Sequence, residues 1–289
     1  MQKILVTGAN GQMGREFAFL ADRFPAFRFV FLDRAELDIC DEKALLSWFA
    51  ENKVDYCINC AAYTAVDKAE SEADLAREIN VKAVANLGKI CAGHNIPVIH
   101  FSTDYVYHTS QNTPYKETDP TRPQGVYAVT KLEGELQLLA SHPLAMVIRT
   151  SWVYSVFGQN FVKTMLRLGK ERDQLSVVAD QIGTPTNARD LAKAVIQILA
   201  NIESGKLDRN QLSGIFNYSN EGVCSWYDFA LAIFEITWTE CTVKPIASVD
   251  YPTPAMRPPF SVLDKTKFKT TFEMEIPHWR KSLERMLAK

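Results

Sequence analysis

Apolar residues fall into short, nearly continuous runs, separated by longer stretches in which they return every three or four positions. Residues 3–7 (KILVT) predict a β-strand, a glycine turn follows, and residues 13–20 predict a helix. Runs at 27–32, 54–60, 97–102 and 145–150 predict four more strands. Between them, 41–52 has helical periodicity through Leu45, Trp48 and Phe49, and 74–92 through Leu75, Ile79, Val84, Leu87 and Ile90. Nearly continuous apolar strands alternating with amphipathic helices imply a parallel sheet covered on both faces. Because such crossovers are right-handed, the expected architecture is a doubly wound α/β fold.

After about residue 150 the pattern loosens. Strand-like pieces at 175–178 and 214–218 alternate with helices at 188–199 and 226–235. The proline-rich stretch 251–260 (YPTPAMRPPF) is expected to be an ordered loop, because an amphipathic helix at 277–287 follows it. We therefore expect a first domain over 1–150, to which about 175–205 returns, and a second, smaller α/β domain made mainly of 151–289.

Composition narrows the function classes. The 289 residues carry a net charge of −2 and no basic block, so the electrostatic basis for binding nucleic acid is missing. There is no secretory leader pattern and no apolar run of membrane-spanning length, so we expect a cytoplasmic protein with no membrane partner. The six cysteines are scattered. Cys57 and Cys60 have a CxxC spacing but lie on an expected strand, where positions three apart face opposite ways. The histidines and carboxylates show no metal-ligand spacing, and no metal site is expected.

The chemistry-bearing residues come in a fixed order. Gly8, Gly11 and Gly14 stand between the first strand and the first helix, where glycines let the backbone approach a pyrophosphate and the helix amino terminus offers free N–H groups. Asp33 ends the second strand, where a carboxylate can bond an adenosine ribose; Arg34, next to it, suits a 2′-phosphate, so NAD and NADP both stay open. Thr103 sits at the carboxyl end of the fourth expected strand, the edge at which open α/β sheets place ligands. Tyr127 and Lys131 are four apart on an expected helix, hence one turn apart on one face. A cation beside a phenol favours the phenolate, so Lys131 is expected to lower the pKa of Tyr127 and make it a general acid or base. Together these features resemble the short-chain dehydrogenase/reductase superfamily, with a Rossmann-type cofactor domain and NADH or NADPH as cofactor.

Within that superfamily the chain resembles the dTDP-4-dehydrorhamnose reductases nearly end to end. The stretches that carry the resemblance include VTGANGQMG (6–14), LDI (37–39), NCAAYTAVDKAE (59–70), FSTDYVY (101–107), YAVTKLEGE (127–135), RTSWVY (149–154), DQIGTPT (180–186), CSWYDFA (224–230) and RPPFSVLD (257–264). The resemblance implies reduction of the C4 ketone of dTDP-6-deoxy-L-lyxo-4-hexulose to dTDP-L-rhamnose. It implies that Gly11, Gln12 and Met13 contact the cofactor pyrophosphate and that Asp38 and Ile39 line the adenine site. Ala62, Tyr63 and Thr64 would lie nearer the nicotinamide. Thr103, Asp104 and Tyr105 would meet the sugar nucleotide, and Trp152 would pack on the sugar. Arg257 is a candidate for the diphosphate, since an arginine fork suits phosphate. Two departures stand out: Tyr107-His108-Thr109-Ser110 lacks the glycine of the usual turn, and Asn217 replaces a frequent histidine.

Three rival functions remain. A dehydratase of this superfamily has Asp-Glu after the threonine; here Asp104 is followed by Tyr105, which removes one carboxylate of the acid–base pair. A reductase or epimerase of another sugar nucleotide shares the same set. A non-catalytic dinucleotide-binding regulatory subunit is disfavoured by the complete Thr103, Tyr127 and Lys131 set. The oligomeric state, a homodimer included, is not legible in the sequence.

Overall fold

The structure of the chain is a computed structural model that describes residues 1–288. Strand β1 (Gln2–Thr7) is the hub of the fold. Its residues alternate between faces, so Ile4 and Val6 enter one core and Leu5 the other. Strand β2 (Phe27–Leu32) pairs on one side of β1; β3 (Tyr56–Asn59), β4 (Val98–Thr103), β5 (Ala145–Thr150) and the strand Gly214–Asn217 follow on the other. All five pairings are parallel. After β2 the chain crosses back over β1 and adds its next strands on the other side, so the strand order reverses between β1 and β3 and makes their carboxyl ends the topological switch point where such sheets bind ligands.

Both faces are covered. Helix Ala188–Glu203 packs against helix Gln12–Ala21 on one face, together with Phe216, Phe268 and Phe272. Helices Glu42–Glu51, Ala83–Gly93 and Gly125–Ser141 cover the other through Leu45, Phe49, Val84, Leu87 and Leu138. A separate core joins Tyr154, Val162, Leu175, Val177, Phe229, Ile233 and Trp279 in a smaller layer above the carboxyl edge.

The second half of the chain is shared between the two layers. The expected return near 175–205 begins at helix Ala188–Glu203, whereas strand Gln174–Val178 pairs with Thr242–Ile246 in the smaller layer. The run at 214–218 supplies the sixth strand of the main sheet. The expected helix 74–92 is interrupted by a π-helical turn, Glu78–Lys82. That wide turn aims the buried Asn80 at the backbone of Tyr63, bonding its N–H at 2.9 Å and its C=O at 3.1 Å, and at Thr130 Oγ1 at 3.2 Å. The proline-rich loop is ordered: Arg257 and the Ala255 amide bond Asp67, and Phe260 bridges to Ile182.

Candidate active site

At the switch point β1 is followed by Gly8, which has φ +64°, and an added Cβ there would lie 2.5 Å from the Ala61 nitrogen. A Cβ at Gly14 would lie 2.6 Å from the Gly8 carbonyl, so helix Gln12–Ala21 can start this close to the turn only with glycine there. Gly11 caps that helix without a side-chain acceptor, which leaves its first amides free for an anion. Next to the turn lies a cavity of about 780 Å³, lined among others by Gly8, Gly11, Asp33, Arg34, Asp38 and Ile39. Asp33 accepts hydrogen bonds from Asn10 and from the amides of Ala35 and Glu36. Arg34 is exposed and paired with Asp38 at 3.0 Å. This geometry suits a ribose and an adenine, and the free amides at the turn suit a pyrophosphate.

A second cavity of about 600 Å³ continues from the first through Gly11, Ala61 and Ala62. Gln12, Met13, Thr64, Thr103, Asp104, Tyr105, Tyr127, Lys131 and Trp152 all line it, so the sequence-predicted catalytic set converges on one groove. Thr103 ends β4, where it caps a short 3-10 turn by accepting the Tyr105 amide at 3.2 Å. Tyr127 and Lys131 extend from helix Gly125–Ser141. Glu70 accepts the Val126 amide at 2.8 Å and so ties down the amino end of that helix.

The electrostatics differ from expectation at one point. Burial pushes Tyr127 up to about 12; the hydrogen bond with Thr103 opposes this and the charge of Asp104 adds to it. Lys131 therefore does not hold the free phenol low, and Tyr127 keeps its proton at neutral pH. Burial pulls Lys131 down to about 8, with Glu135 opposing. Burial also raises Asp104 to about 7, against hydrogen bonds from Ser261 and Thr103, and its Oδ2 has no partner. The groove thus holds a protonated phenol, a lysine and a carboxyl group that both titrate near neutrality, and a threonine hydroxyl between phenol and carboxyl.

Three predicted residues line neither cavity, and of these Gly14 serves the close packing at the turn. The Tyr63 ring is buried beside the groove, and its hydroxyl bonds Glu72 at 2.6 Å, so its neighbours Ala62 and Thr64 form the wall instead. Arg257 meets Asp67 through two hydrogen bonds of 2.9 and 2.7 Å. Sequence reasoning missed Trp226. It opens helix Trp226–Thr237, lines the groove, and stacks on Trp152 with centroids 3.6 Å apart and planes 10° apart. Trp152 has φ +47°, unusual for a bulky residue, and a Cβ at Gly183 would lie 2.7 Å from its ring. The signal for Trp226 was present in CSWYDFA, but nothing local said which wall it would join. Asn59, Gly158 and Gln159 also line the groove and were missed.

Among the described residues no helix is long and apolar enough to cross a membrane, and no three metal-ligating side chains gather into a site. Comparison with known proteins gives a consistent picture. The chain matches the family described as "RmlD substrate binding domain" over residues 1–289. It is 42% identical to a dTDP-4-dehydrorhamnose reductase of Aggregatibacter actinomycetemcomitans, covering 100% of this chain and 99% of that one. The crystal structure of a dTDP-4-dehydrorhamnose reductase from Clostridium acetobutylicum superposes with a TM-score of 0.91 at 39% identity, covering 99% and 98% of the two chains. That of the Bacillus anthracis enzyme, in complex with NADP, gives 0.92 at 33% identity, covering 99% of each.

Proposed function

The chain belongs to the family of the RmlD substrate binding domain, that of the dTDP-4-dehydrorhamnose reductases, and we propose that its Tyr127 is the proton donor in reducing the C4 ketone of dTDP-6-deoxy-L-lyxo-4-hexulose to dTDP-L-rhamnose. The enzyme is an NAD(P)H-dependent oxidoreductase acting on a sugar nucleotide. The observation that carries the reading is the meeting of Thr103, Tyr127, Lys131 and Trp152 in one groove that runs on into the Gly8–Asp33 cavity. In this reading residues 1–150 mainly hold the cofactor, and the smaller layer closes over the sugar nucleotide.

When bound, the reduced nicotinamide supplies the hydride. The chain's own residues do the rest. Gly8, Gly11, Gln12, Met13 and Gly14 seat the pyrophosphate on the helix amino terminus. Asp33, Arg34, Asp38 and Ile39 hold the adenosine end, and Ala62 and Thr64 line the way to the reacting end. Thr103 orients the carbonyl oxygen, and Tyr127, protonated at neutral pH, gives its proton to the alkoxide as it forms. Trp152, backed by Trp226, offers a flat apolar wall to the deoxysugar. Asp104 and Tyr105 border the same space, whereas Arg257, paired with Asp67, has no place in it.

The test is the oxidation of NADH and NADPH, followed by ultraviolet absorbance, with the hexulose generated in situ. Rapid oxidation with dTDP-L-rhamnose as product is expected, and the ratio of the two rates gives the cofactor preference. Tyr127→Phe should cut kcat by ~10²-fold or more while cofactor binding persists. Undiminished turnover in that variant would remove Tyr127 from the donor role.

A further inference from the structure

Between the end of β4 and the helix Gly125–Ser141 lies a short chain of hydrogen-bonding side chains. Thr103 Oγ1 accepts the Tyr105 amide at 3.2 Å, lies 3.2 Å from Asp104 Oδ1 and is hydrogen-bonded to the Tyr127 hydroxyl. Asp104 also bonds Ser261 and is 2% exposed. Its Oδ2 has no partner. Thr103, Asp104 and Tyr127 all line the groove.

A threonine hydroxyl has one proton and two lone pairs, and it rotates to suit its neighbours. The Tyr105 amide fills one lone pair. One lone pair and one proton remain for Asp104 and Tyr127, and the state of Asp104 decides which goes where. A carboxylate only accepts. It would take the Thr103 proton, Thr103 would then accept the Tyr127 O–H, and both protons would point away from the groove. A neutral acid reverses the chain. Its O–H donates to Thr103 Oγ1, Thr103 donates to the phenol oxygen, and the Tyr127 O–H is left for the groove. A ketone oxygen arriving there has lone pairs only. The second direction meets it with two donors, the first with none.

We propose that Asp104 is a positioning residue: as a neutral acid it donates to Thr103 and sets the direction of the chain, so that Thr103 and Tyr127 both turn their protons to the substrate oxygen. Two observations support the neutral form. An acid with its proton on Oδ1 leaves Oδ2 as a plain carbonyl oxygen, which costs less to bury without a partner than half of a carboxylate. The groups that meet Asp104 bring it no positive charge. Thr103 and Ser261 are hydroxyls, Tyr105 on the same turn is a phenol that burial keeps protonated, and Tyr127 on the neighbouring helix is another. Lys131 lines the groove but donates to the Phe101 carbonyl at 2.7 Å, and Arg257, which acts on Tyr105, is paired with Asp67 at 2.7 Å. Asp104 gives up no proton in turnover. The Tyr127 O–H bond breaks as the product O–H bond forms, and solvent supplies the one proton consumed.

The proposal rests on the reductase reading, so two measurements are paired. The first needs no turnover: infrared difference spectra of the cofactor-free protein, wild type against Asp104→Asn. They should show the C=O stretch of a protonated carboxyl at about pH 6, replaced by carboxylate stretches at about pH 9. A carboxylate already at the lower pH overturns the proposal, whether or not the hexulose is reduced. The second is kcat/KM for the hexulose. The amide NH₂ of Asp104→Asn donates at every pH, so the ratio of wild type to variant should fall ~10-fold or more from about pH 6 to about pH 8.5. Titration of Lys131 is common to both proteins and cancels in the ratio. A double-mutant cycle separates action through Thr103 from a direct contact with the sugar. Asp104→Ala should cost ~10-fold in the wild type and less than about twofold in Thr103→Val. A flat ratio, or equal costs in both backgrounds, overturns the proposal. Failure of the wild type to reduce the hexulose overturns the reductase reading instead, and the infrared result then still decides whether Asp104 is the neutral acid.

Discussion

At the scale of single residues, Asp104 is the most exceptional group in the groove. It is 2% exposed, its Oδ2 has no partner, and burial raises it to about 7 from an ordinary 3.8. In the unfolded chain it loses its proton near the ordinary value. Between pH 3.8 and about 7 the folded protein therefore holds a proton that the unfolded chain has lost. Its contribution to stability falls as pH rises through that window and then stays as a constant penalty, at most about 4 kcal/mol. Such a penalty calls for a use, and a carboxyl group with a free oxygen in the wall of the groove is open to one. Asp104→Asn keeps the shape and removes the charge. Urea unfolding at pH 5 and pH 8 should show the variant gaining about 2–4 kcal/mol on the wild type between the two pH values. Parallel curves would mean that Asp104 is not a neutral acid in the folded protein.

At the scale of elements, most of the fold was legible. The strands at 27–32 and 145–150 appear where the apolar runs place them: 145–150 is buried along its whole length, and 27–32, at the sheet edge, keeps its apolar run despite the exposed Arg28. The helix predicted over 41–52 is capped at Asp41, whose side chain accepts the Ala44 amide. The π-helical turn at Glu78–Lys82 was not legible, because its cause lies elsewhere in the chain. It follows the contact with helix Gly125–Ser141, where Gly134 faces the Asn80 carbonyl so closely that an added Cβ would sit 2.0 Å from it. That contact sets the height of the helix carrying Tyr127 and Lys131. Gly134→Ala would be harmless by helix propensity, even favourable by about 1 kcal/mol. Here it should instead cost about 3 kcal/mol in thermal or urea unfolding and lower kcat, by pushing the two helices apart. A stabilised, fully active variant would show that the helices are free to shift and that the π turn does not fix the catalytic pair.

At the scale of the whole molecule, the groove exists because two layers meet, and here the sequence was least informative. Composition and periodicity say nothing of which residue will cross from one layer to the other. Asp67 and Arg257 are 190 positions apart, and Gln12 meets Asn160 at 2.9 Å across 148. One of these junctions is Glu16, on the helix that starts at the cofactor turn. It is 1% exposed, accepts the Ser155 hydroxyl at 2.6 Å, and pairs with Arg189 at 2.8 Å. Ser155 opens the loop that brings Gly158 and Gln159 to the groove, and Arg189 begins the helix that returns to the main sheet. One carboxylate thus holds the cofactor helix, the substrate-side loop and the returning helix at a common point. Glu16→Ala leaves a buried hydroxyl and a guanidinium without their acceptor. A fully buried pair broken on one side costs about 3–5 kcal/mol, and Arg189, 34% exposed, can recover part of this in water. The expected loss is about 2–3 kcal/mol in urea unfolding, with a rise in KM for both cofactor and sugar nucleotide because the two walls of the groove share the junction. A loss of stability with both KM values unchanged would show that the layers keep their relation without Glu16, and that the groove is shaped by the apolar contacts of each layer alone.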